Sequence, residues 1–296
     1  MRLSFYKRKE YLFDQPVSII ICAKNELDNL RNNLPIILSQ DYSKFEVIVV
    51  NDQSNDSSSF YLDDLSKNNT NLKIVEIDEF VKHSLGKKFA LTLGIKTAKY
   101  EHILLTDADC VPKSNDWIKK MTSNFYKADI VLGYGSYQKK KGILNKIIRF
   151  DCFNVAQQYL SFAIAGKTYM GVGRNLAYKK SLFFDNKGFA SHVHIPSGDD
   201  DLFIQEIAYK KNVSIEILED THTISEVMDN WNDWFYQKRR HLSTSSLYKI
   251  KFKLLLAIYP LTQLLFILSV CSLILLNFDI IFILILIVFR LFFSYL

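Results

Sequence analysis

Residues 254–276 run for 23 positions without a charged side chain. At the usual helical rise that is about 34 Å, enough to cross a hydrocarbon core of roughly 30 Å. Backbone inside lipid has to satisfy its own hydrogen bonds, so the run predicts a transmembrane helix. After Asn277-Phe278-Asp279 a second apolar run, 280–296, carries only Arg290. So short a break predicts an antiparallel return, a helical hairpin over 254–296. Arg290 is expected to snorkel or to face protein, because an arginine at mid-depth in lipid is costly. The chain stops inside this apolar run, and further sequence is expected to follow. Lys238, Arg239, Arg240, Lys249, Lys251 and Lys253 precede the hairpin while its tip offers only Asp279. The positive-inside bias therefore predicts that residues 1 to about 253 are cytoplasmic, on a multi-pass protein of the cell (inner) membrane. The opening residues 1–15 form a leader without an apolar signal-peptide core.

The remaining chain is globular in composition. Apolar residues make up 49% and aromatics 14%, too much greasy surface for a disordered chain. Four scattered cysteines, Cys22, Cys110, Cys152 and Cys271, form no C-x-x-C pair, so neither a disulfide framework nor a zinc site is predicted. Val17–Cys22 and Phe45–Val50 are continuous short apolar runs, as in parallel strands covered on both faces. Between them, apolar residues at 27, 30, 34, 37 and 38 form a helical stripe, giving a β-α-β opening. A third strand over 72–77, a helix over 87–98 and a fourth strand over 103–106 extend the alternation. Beyond Pro112 the spacing predicts a helix over 116–126, a strand over 130–135, a long helix near 143–163, a strand over 171–178 and a helix over 199–210. The domain organisation expected is a nucleotide-binding half (16–110), an acceptor half (111–226) and an interfacial helix (228–250). Ligands of such a doubly wound sheet sit beyond the carboxyl ends of its strands.

Those ends hold the polar clusters: 23–26, 51–56 and Asp107-Ala108-Asp109. Two carboxylates in an Asp-x-Asp turn can share a hard divalent cation whose other ligands are phosphate oxygens. No G-x-G-x-x-G follows the first strand and no G-x-x-x-x-G-K-S/T occurs, which excludes dinucleotide and P-loop readings. His192-x-His194 lacks a third ligand nearby in sequence and reads as loop polarity. Gly171-Val172-Gly173 reads as a close backbone approach near the acceptor.

Taken in order, several motifs resemble those of the family 2 glycosyltransferases with the GT-A fold, over roughly residues 16–245. Val17–Glu26 resembles the opening strand and its A-R-N-E-like loop, and Val49–Asp56 the V-D-D-x-S-x-D segment. Gly86–Leu91 is similar to the G-K-x-x-A-L helix start, and Leu105–Asp109 to the D-x-D metal site. Gly173-Arg174-Asn175 precedes Ser197–Leu202, which resembles the acidic motif before a helix. Gln237–His241 resembles Q-x-x-R-W of the membrane-embedded polymerising branch, with His241 in place of tryptophan, a departure from the pattern of processive enzymes.

The resemblance implies an α/β fold, a GT-A type doubly wound mixed or parallel sheet with helices on both faces. It also implies a metal-dependent inverting transfer of sugar from a nucleotide diphosphate sugar, UDP-linked by preference, to a lipid-linked or membrane-proximal glycan, as in polysaccharide and cell-envelope synthesis. Mn²⁺ or Mg²⁺ would sit on Asp107 and Asp109. Ala23, Asn25, Glu26, Asp52, Lys87, Asp107, Gln237 and Arg240 would contact the donor, and Arg174 and Asn175 the acceptor. Asp199 or Asp200 would be the base that inverting transfer needs. Lys238 and Arg239 also suit a basic helix touching lipid head groups, and Trp231, Trp234 and Tyr236 the interface. Transfer to a polyprenyl phosphate, whose oxygen needs no base, and a non-catalytic nucleotide-sugar-binding membrane scaffold are the competing readings. An aspartyl phosphatase is disfavoured because Cys110-Val111-Pro112 replaces its D-G-T-like run. No nucleic-acid role is expected, since the formal charge of +6 gathers beside the apolar helix.

Overall fold

The computed structural model describes residues 3–78 and 86–295. Residues Lys7–Ser246 form one compact unit and Leu247 onward, with the residues before Lys7, another. The larger unit therefore includes most of the expected leader. Arg8 Nε donates to the buried Glu216 carboxylate at 2.8 Å, and Phe13 stacks edge-on against His102.

Strands β1 (Val17–Ala23), β2 (Phe45–Asn51) and β3 (Leu72–Glu76) alternate with helices α1 (Leu27–Leu38) and α2 (Ser58–Asn68). Helix α3 (Gly86–Thr97) then leads into β4 (His102–Asp107). All four strands are parallel, in the order β3-β2-β1-β4. The strand order reverses at β1, so the chain leaves β1 for β2 on one side and later returns to β4 on the other. Right-handed crossovers then put helices on both faces. Val17, Ile19 and Ile21 face a core shared with Leu30, Leu34, Leu62 and Trp117. On the opposite face α3 approaches so closely that a Cβ on Gly94 would lie 2.6 Å from Ile20 Cγ2.

Beyond β4 the elements shorten. β5 (Cys110–Pro112) follows at once, then α4 (Trp117–Thr122), β6 (Ile130–Leu132), β7 (Gly135–Tyr137), α5 (Ile143–Ile164) and β8 (Leu176–Lys179). α6 (Lys180–Asp185), α7 (Asp201–Ile207), β9 (Val213–Ile215), β10 (Thr223–Ser225) and α8 (Trp231–Ser245) complete the unit. The main sheet continues as β4-β8-β6-β9, with β8 antiparallel to both of its neighbours. A second sheet has the order β5-β10-β7.

Several expected elements change here. The strand expected over 130–135 is two strands in different sheets. A Cβ on Gly133 would meet the Asn175 side chain at 2.5 Å, so only glycine lets the chain cross there. The strand expected over 171–178 begins at Leu176, after a short 3-10 turn at Gly173–Asn175. The helix expected over 116–126 ends at Thr122 and tightens into 3-10 geometry, and that expected over 199–210 spans only Asp201–Ile207.

In the smaller unit α9 (Ile250–Leu275) is long and apolar enough to cross a membrane, with mean hydropathy 2.2. It ends at Asn277, whose φ of 51° lets the Phe278 amide reach back to the Leu273 carbonyl. Asp279 then caps α10 (Ile280–Tyr295), accepting from the Ile281 amide at 2.7 Å. Arg290 turns toward α9, its guanidinium 5.4 Å from the Phe266 ring centroid. That is the protein-facing arrangement expected of an arginine in an apolar run. α10 is described over 16 residues.

Candidate active site

The parallel pairing brings Cys22 of β1 opposite Asp107 of β4, and Ala23 opposite Asn51 of β2. The carboxyl ends of the three strands thus converge where the strand order reverses, as doubly wound sheets require of a ligand site.

On the β1–β2 side the two loops are laced together. Asn25 adopts φ 56°, a left-handed conformation that asparagine tolerates. Its amide donates to Ser54 Oγ at 2.8 Å, and its side-chain oxygen accepts from the Asn55 amide at 2.7 Å. The Ala23 carbonyl accepts from the Asp52 amide. Ala23 and Asn25, expected as donor contacts, therefore shape this loop through their own hydrogen bonds. Glu26 accepts from Asn29 at 2.6 Å. The Asp52 carboxylate makes no hydrogen bond or ion pair among the described residues, so both its oxygens are available to a ligand.

Lys87 and Lys88, at the start of α3, point to different partners. Lys87 Nζ lies 2.6 Å from Asp107 Oδ1 and 3.5 Å from Asp199 Oδ2, so one ammonium joins the end of β4 to the acidic run before α7. Desolvation acts to neutralise Lys87, but its two carboxylates outweigh it and keep the ammonium well above the ordinary lysine range. Asp107 is likewise pulled in two directions: burial raises it, and Lys87 brings it below the usual carboxylate range. Lys88 is buried and donates to the carbonyls of His192 and Ile195, fastening the segment that leads to Asp199. His192 is buried, with Nδ1 2.8 Å from Ser191 Oγ.

Asp109 is pushed up to about 6 by burial and by repulsion from Asp107. A carboxylate held so unfavourably as an anion is one that a cation would relieve. Ligand atoms of Asp107, Asp109 and Cys110 lie within 4.8 Å of one another. Cys110 is buried, with its sulfur 3.0 Å from Ser225 Oγ, and burial pushes the thiol well above its ordinary range. The donor set left to a cation is two carboxylates, which fits a hard divalent ion completed by phosphate oxygens.

The acidic run divides its labour. Asp200 caps α7, accepting from the Asp201 amide at 2.8 Å, and also accepts from the Gly173 amide at 2.9 Å. Burial first, and then Asp199 and Asp201, push it up to about 7. Gly173 lies close by: a Cβ there would sit 3.6 Å from Lys87 Nζ and 3.8 Å from carboxylate oxygens of Asp199 and Asp200. Asp201 is buried and accepts from Thr244 Oγ1 at 2.7 Å, which fastens α8 to α7.

Arg174 and Asn175, expected at the acceptor, are engaged by other side chains and carbonyls of the chain. Asn175 is fully buried, its oxygen accepting from the Trp117 indole and its nitrogen donating to the carbonyls of Tyr134 and Thr221. With donors and acceptor both engaged, it is a bracket between the two sheets. The Arg174 guanidinium stacks 4.5 Å above the Tyr137 ring and donates to Ser225 Oγ at 3.2 Å. Its charge favours the ionised forms of both Asp107 and Asp109, against the burial that raises them. Gln237 of α8 donates to the Tyr137 hydroxyl at 3.3 Å, and the Arg240 charge also bears on Asp107. Tyr137, Ser225, Lys88 and Thr244 had no motif to mark them. They lie on three-residue strands, behind a charged neighbour, or on a helix whose partner is distant in sequence.

Comparison with known proteins bears on the family and the fold. Residues 18–185 match the family model described as glycosyl transferase family 2. A Haemophilus influenzae protein named as an uncharacterized glycosyltransferase is 30% identical over 143 residues, 48% of this chain and 41% of its own length. The poly-beta-1,6-N-acetyl-D-glucosamine synthase of Staphylococcus epidermidis is 31% identical over 147 residues, 49% of this chain and 34% of its own. The aligned stretch is thus less than half the length of either relative. Among solved structures, a Pyrobaculum calidifontis mannosyltransferase in complex with GDP-Man and Mn²⁺ superposes with a TM-score of 0.63 at 21% identity, covering 81% of this chain and 67% of that one. S. aureus TarS in complex with UDP-GlcNAc gives 0.53 at 18%, covering 73% and 60%. At such identities these likenesses establish the fold, and the family match establishes the lineage: this chain belongs to glycosyl transferase family 2.

Proposed function

We propose that this chain is a metal-dependent inverting glycosyltransferase that moves a sugar from a nucleotide diphosphate sugar to a lipid-linked or membrane-proximal glycan. The observation that carries the reading is Lys87, whose single ammonium touches both the strand-end carboxylate Asp107 and the acidic run at Asp199. On this reading the phosphate-side and base-side groups are neighbours across one ammonium. The relatives named above supply the donor class, with UDP-GlcNAc and GDP-Man bound in the two structures, and a UDP-sugar is our preferred donor.

Asp107 and Asp109 would hold Mn²⁺ or Mg²⁺, which when bound neutralises charge on the leaving diphosphate. Lys87, Arg174 and Arg240 add fixed positive charge to the same region, and charge placed in advance stabilises a leaving anion without reorganisation. Asp52 and Glu26 take the nucleoside. Asp200 is the base: a carboxyl near pKa 7 in its cleft ionises at working pH yet remains basic enough to accept the acceptor hydroxyl's proton. Asp199, held by Lys87, keeps that cluster in place. α9 anchors the chain in the inner membrane, with the larger unit on the side of the basic residues Lys249, Lys251 and Lys253, the cytoplasm.

The test is donor binding and hydrolysis by the detergent-solubilised full chain over UDP-, GDP- and dTDP-sugars, with Mn²⁺, Mg²⁺ or EDTA. Beside it runs the Asp107→Ala/Asp109→Ala double variant. Turnover or binding of one donor that needs metal and is lost in the variant is the expected result. Indifference to every donor, with variant and parent alike, overturns it in favour of a non-catalytic scaffold.

A further inference from the structure

The outward face of α5 carries large apolar side chains among its polar ones. Ile148, Ala156, Tyr159 and Leu160 are buried. On the other side Ile143, Ile147, Phe150 and Phe153 are exposed, Ile143 at 69% and Phe150 at 54%. At 100° per residue those four fall within an arc of about 120°, roughly opposite the buried face. Lys146 and Asn154 fall within the same arc, but four large exposed apolar side chains gathered on one helix face still mark an interaction site.

The charge around the stripe says what covers it. Lys139, Lys141, Lys146 and Arg149 are all exposed beside it. The nearby acids are already matched: Asp151 pairs with Lys238, and Asp229 with Lys140. The first of these pairs joins α5 to α8, the helix that also carries the exposed Trp231 and Phe235. Apolar side chains ringed by unmatched basic ones suit the head-group boundary of an anionic bilayer, where the rings and alkyl groups enter the acyl edge and the cations meet phosphate. The inward face of α5 meanwhile touches the site, with the Cys152 sulfur 3.2 Å from the Gly135 carbonyl and 3.6 Å from Arg174.

We infer that the outward stripe of α5, together with the Trp231–Phe235 edge of α8, lies on the surface of an anionic membrane. α5 is then the wall between bilayer and active site, and a lipid-linked acceptor reaches the cleft past this helix. The inference rests on the membrane-anchored reading above and specifies which surface of the larger unit meets lipid.

The experiment uses the full chain in vesicles of equal phosphatidylglycerol and phosphatidylcholine. The photo-crosslinking residue p-benzoylphenylalanine replaces, one at a time, Phe150, Phe153, Phe60 on α2 and Leu268 on α9, and lipid adducts are counted by mass spectrometry. Expected are adducts at positions 150 and 153 roughly tenfold above those at exposed Phe60, biased toward phosphatidylglycerol, as an interfacial helix with a basic rim predicts. Lys139→Glu with Lys146→Glu should abolish that bias. Adducts at 268 but only background at 150 and 153 overturn the inference and leave the anchor standing. No adducts even at 268 remove the anchor and the inference with it. Crosslinks from 150 to a co-purified protein in place of lipid overturn it in favour of a protein partner.

Discussion

The two halves of the larger unit are built differently. Residues 16–110 are a regular βαβ array whose strands β1 to β4 run five to seven residues; β1, β2 and β4 bury both faces, while the edge strand β3 is partly exposed. Residues 111–246 make strands of three or four residues, divided between two sheets and held by side chains. In the first half the backbone ladder sets the geometry, and the functional carboxylates sit where strands end. In the second half individual contacts set it: Asn175 between sheets, Lys88 under the 192–195 segment, and Thr244 on Asp201. A donor site on the regular half should therefore be robust to distant change, and an acceptor site on the irregular half sensitive to it.

The largest expected effects separate the two halves by what is lost. Asp109→Ala removes a charge from the regular half and should lower kcat/KM roughly a thousandfold, the scale on which pre-placed charge stabilises a leaving group. Calorimetry should show metal-dependent donor binding lost with it. Asp200→Asn lies in the irregular half and keeps an oxygen with which to cap α7. It should lower kcat by roughly 10²–10⁴-fold, as loss of a general base does, with donor affinity retained. If Asp200→Asn instead abolishes donor binding and leaves single-turnover chemistry intact, the division between halves fails.

The same contrast explains which parts of the molecule were legible in the sequence. β1, β2, β4 and α1 lie where expected because long buried strands make continuous apolar runs and a helix makes a 3.6-residue stripe. β5, β9 and β10 are three residues long, too short for either period to show. Gly133 could be read as glycine but not as a crossing, since the reason for it is Asn175, more than forty residues away. The motifs holding Asp107, Asp109 and Lys87 could be read because each is local, the first two at the end of β4 and the third at the start of α3. The place of Arg174 was not, because it depends on Tyr137 and Ser225, which only the second sheet brings to it.

The pH profile sharpens the assignment of the base. Asp200 must be deprotonated to accept a proton, and its carboxyl is raised to about 7. The rate should therefore fall about tenfold per pH unit below that value and level off above it. This acid limb should vanish in Asp200→Asn and survive in Asp199→Asn. Loss of the limb in Asp199→Asn alone would transfer the role to Asp199.

Stability offers a smaller contrast. Gly94→Ala presses a methyl onto Ile20 in the regular half and should cost about 1–3 kcal/mol by denaturant titration, with KM for the donor unchanged in what remains folded. Thr244→Val withdraws a hydrogen bond from the buried carboxylate of Asp201 and should cost a comparable 1.5–3 kcal/mol or so. Because it unfastens α8, it should also raise KM for the donor. Equal KM values in the two variants would show that α8 does not need its tie to α7.

The smallest expected effect tests whether α8 acts through Arg174. Tyr137→Phe keeps the ring beneath the guanidinium and removes only the hydroxyl that Gln237 meets. One such bond is worth about 0.5–1.5 kcal/mol, so activity should fall less than tenfold or so. Gln237→Ala should cost a similar amount alone and nothing further in the Tyr137→Phe background, because the two changes remove the same contact. Additive losses would mean that Gln237 reaches the donor directly, and that the irregular half addresses the diphosphate through two independent groups.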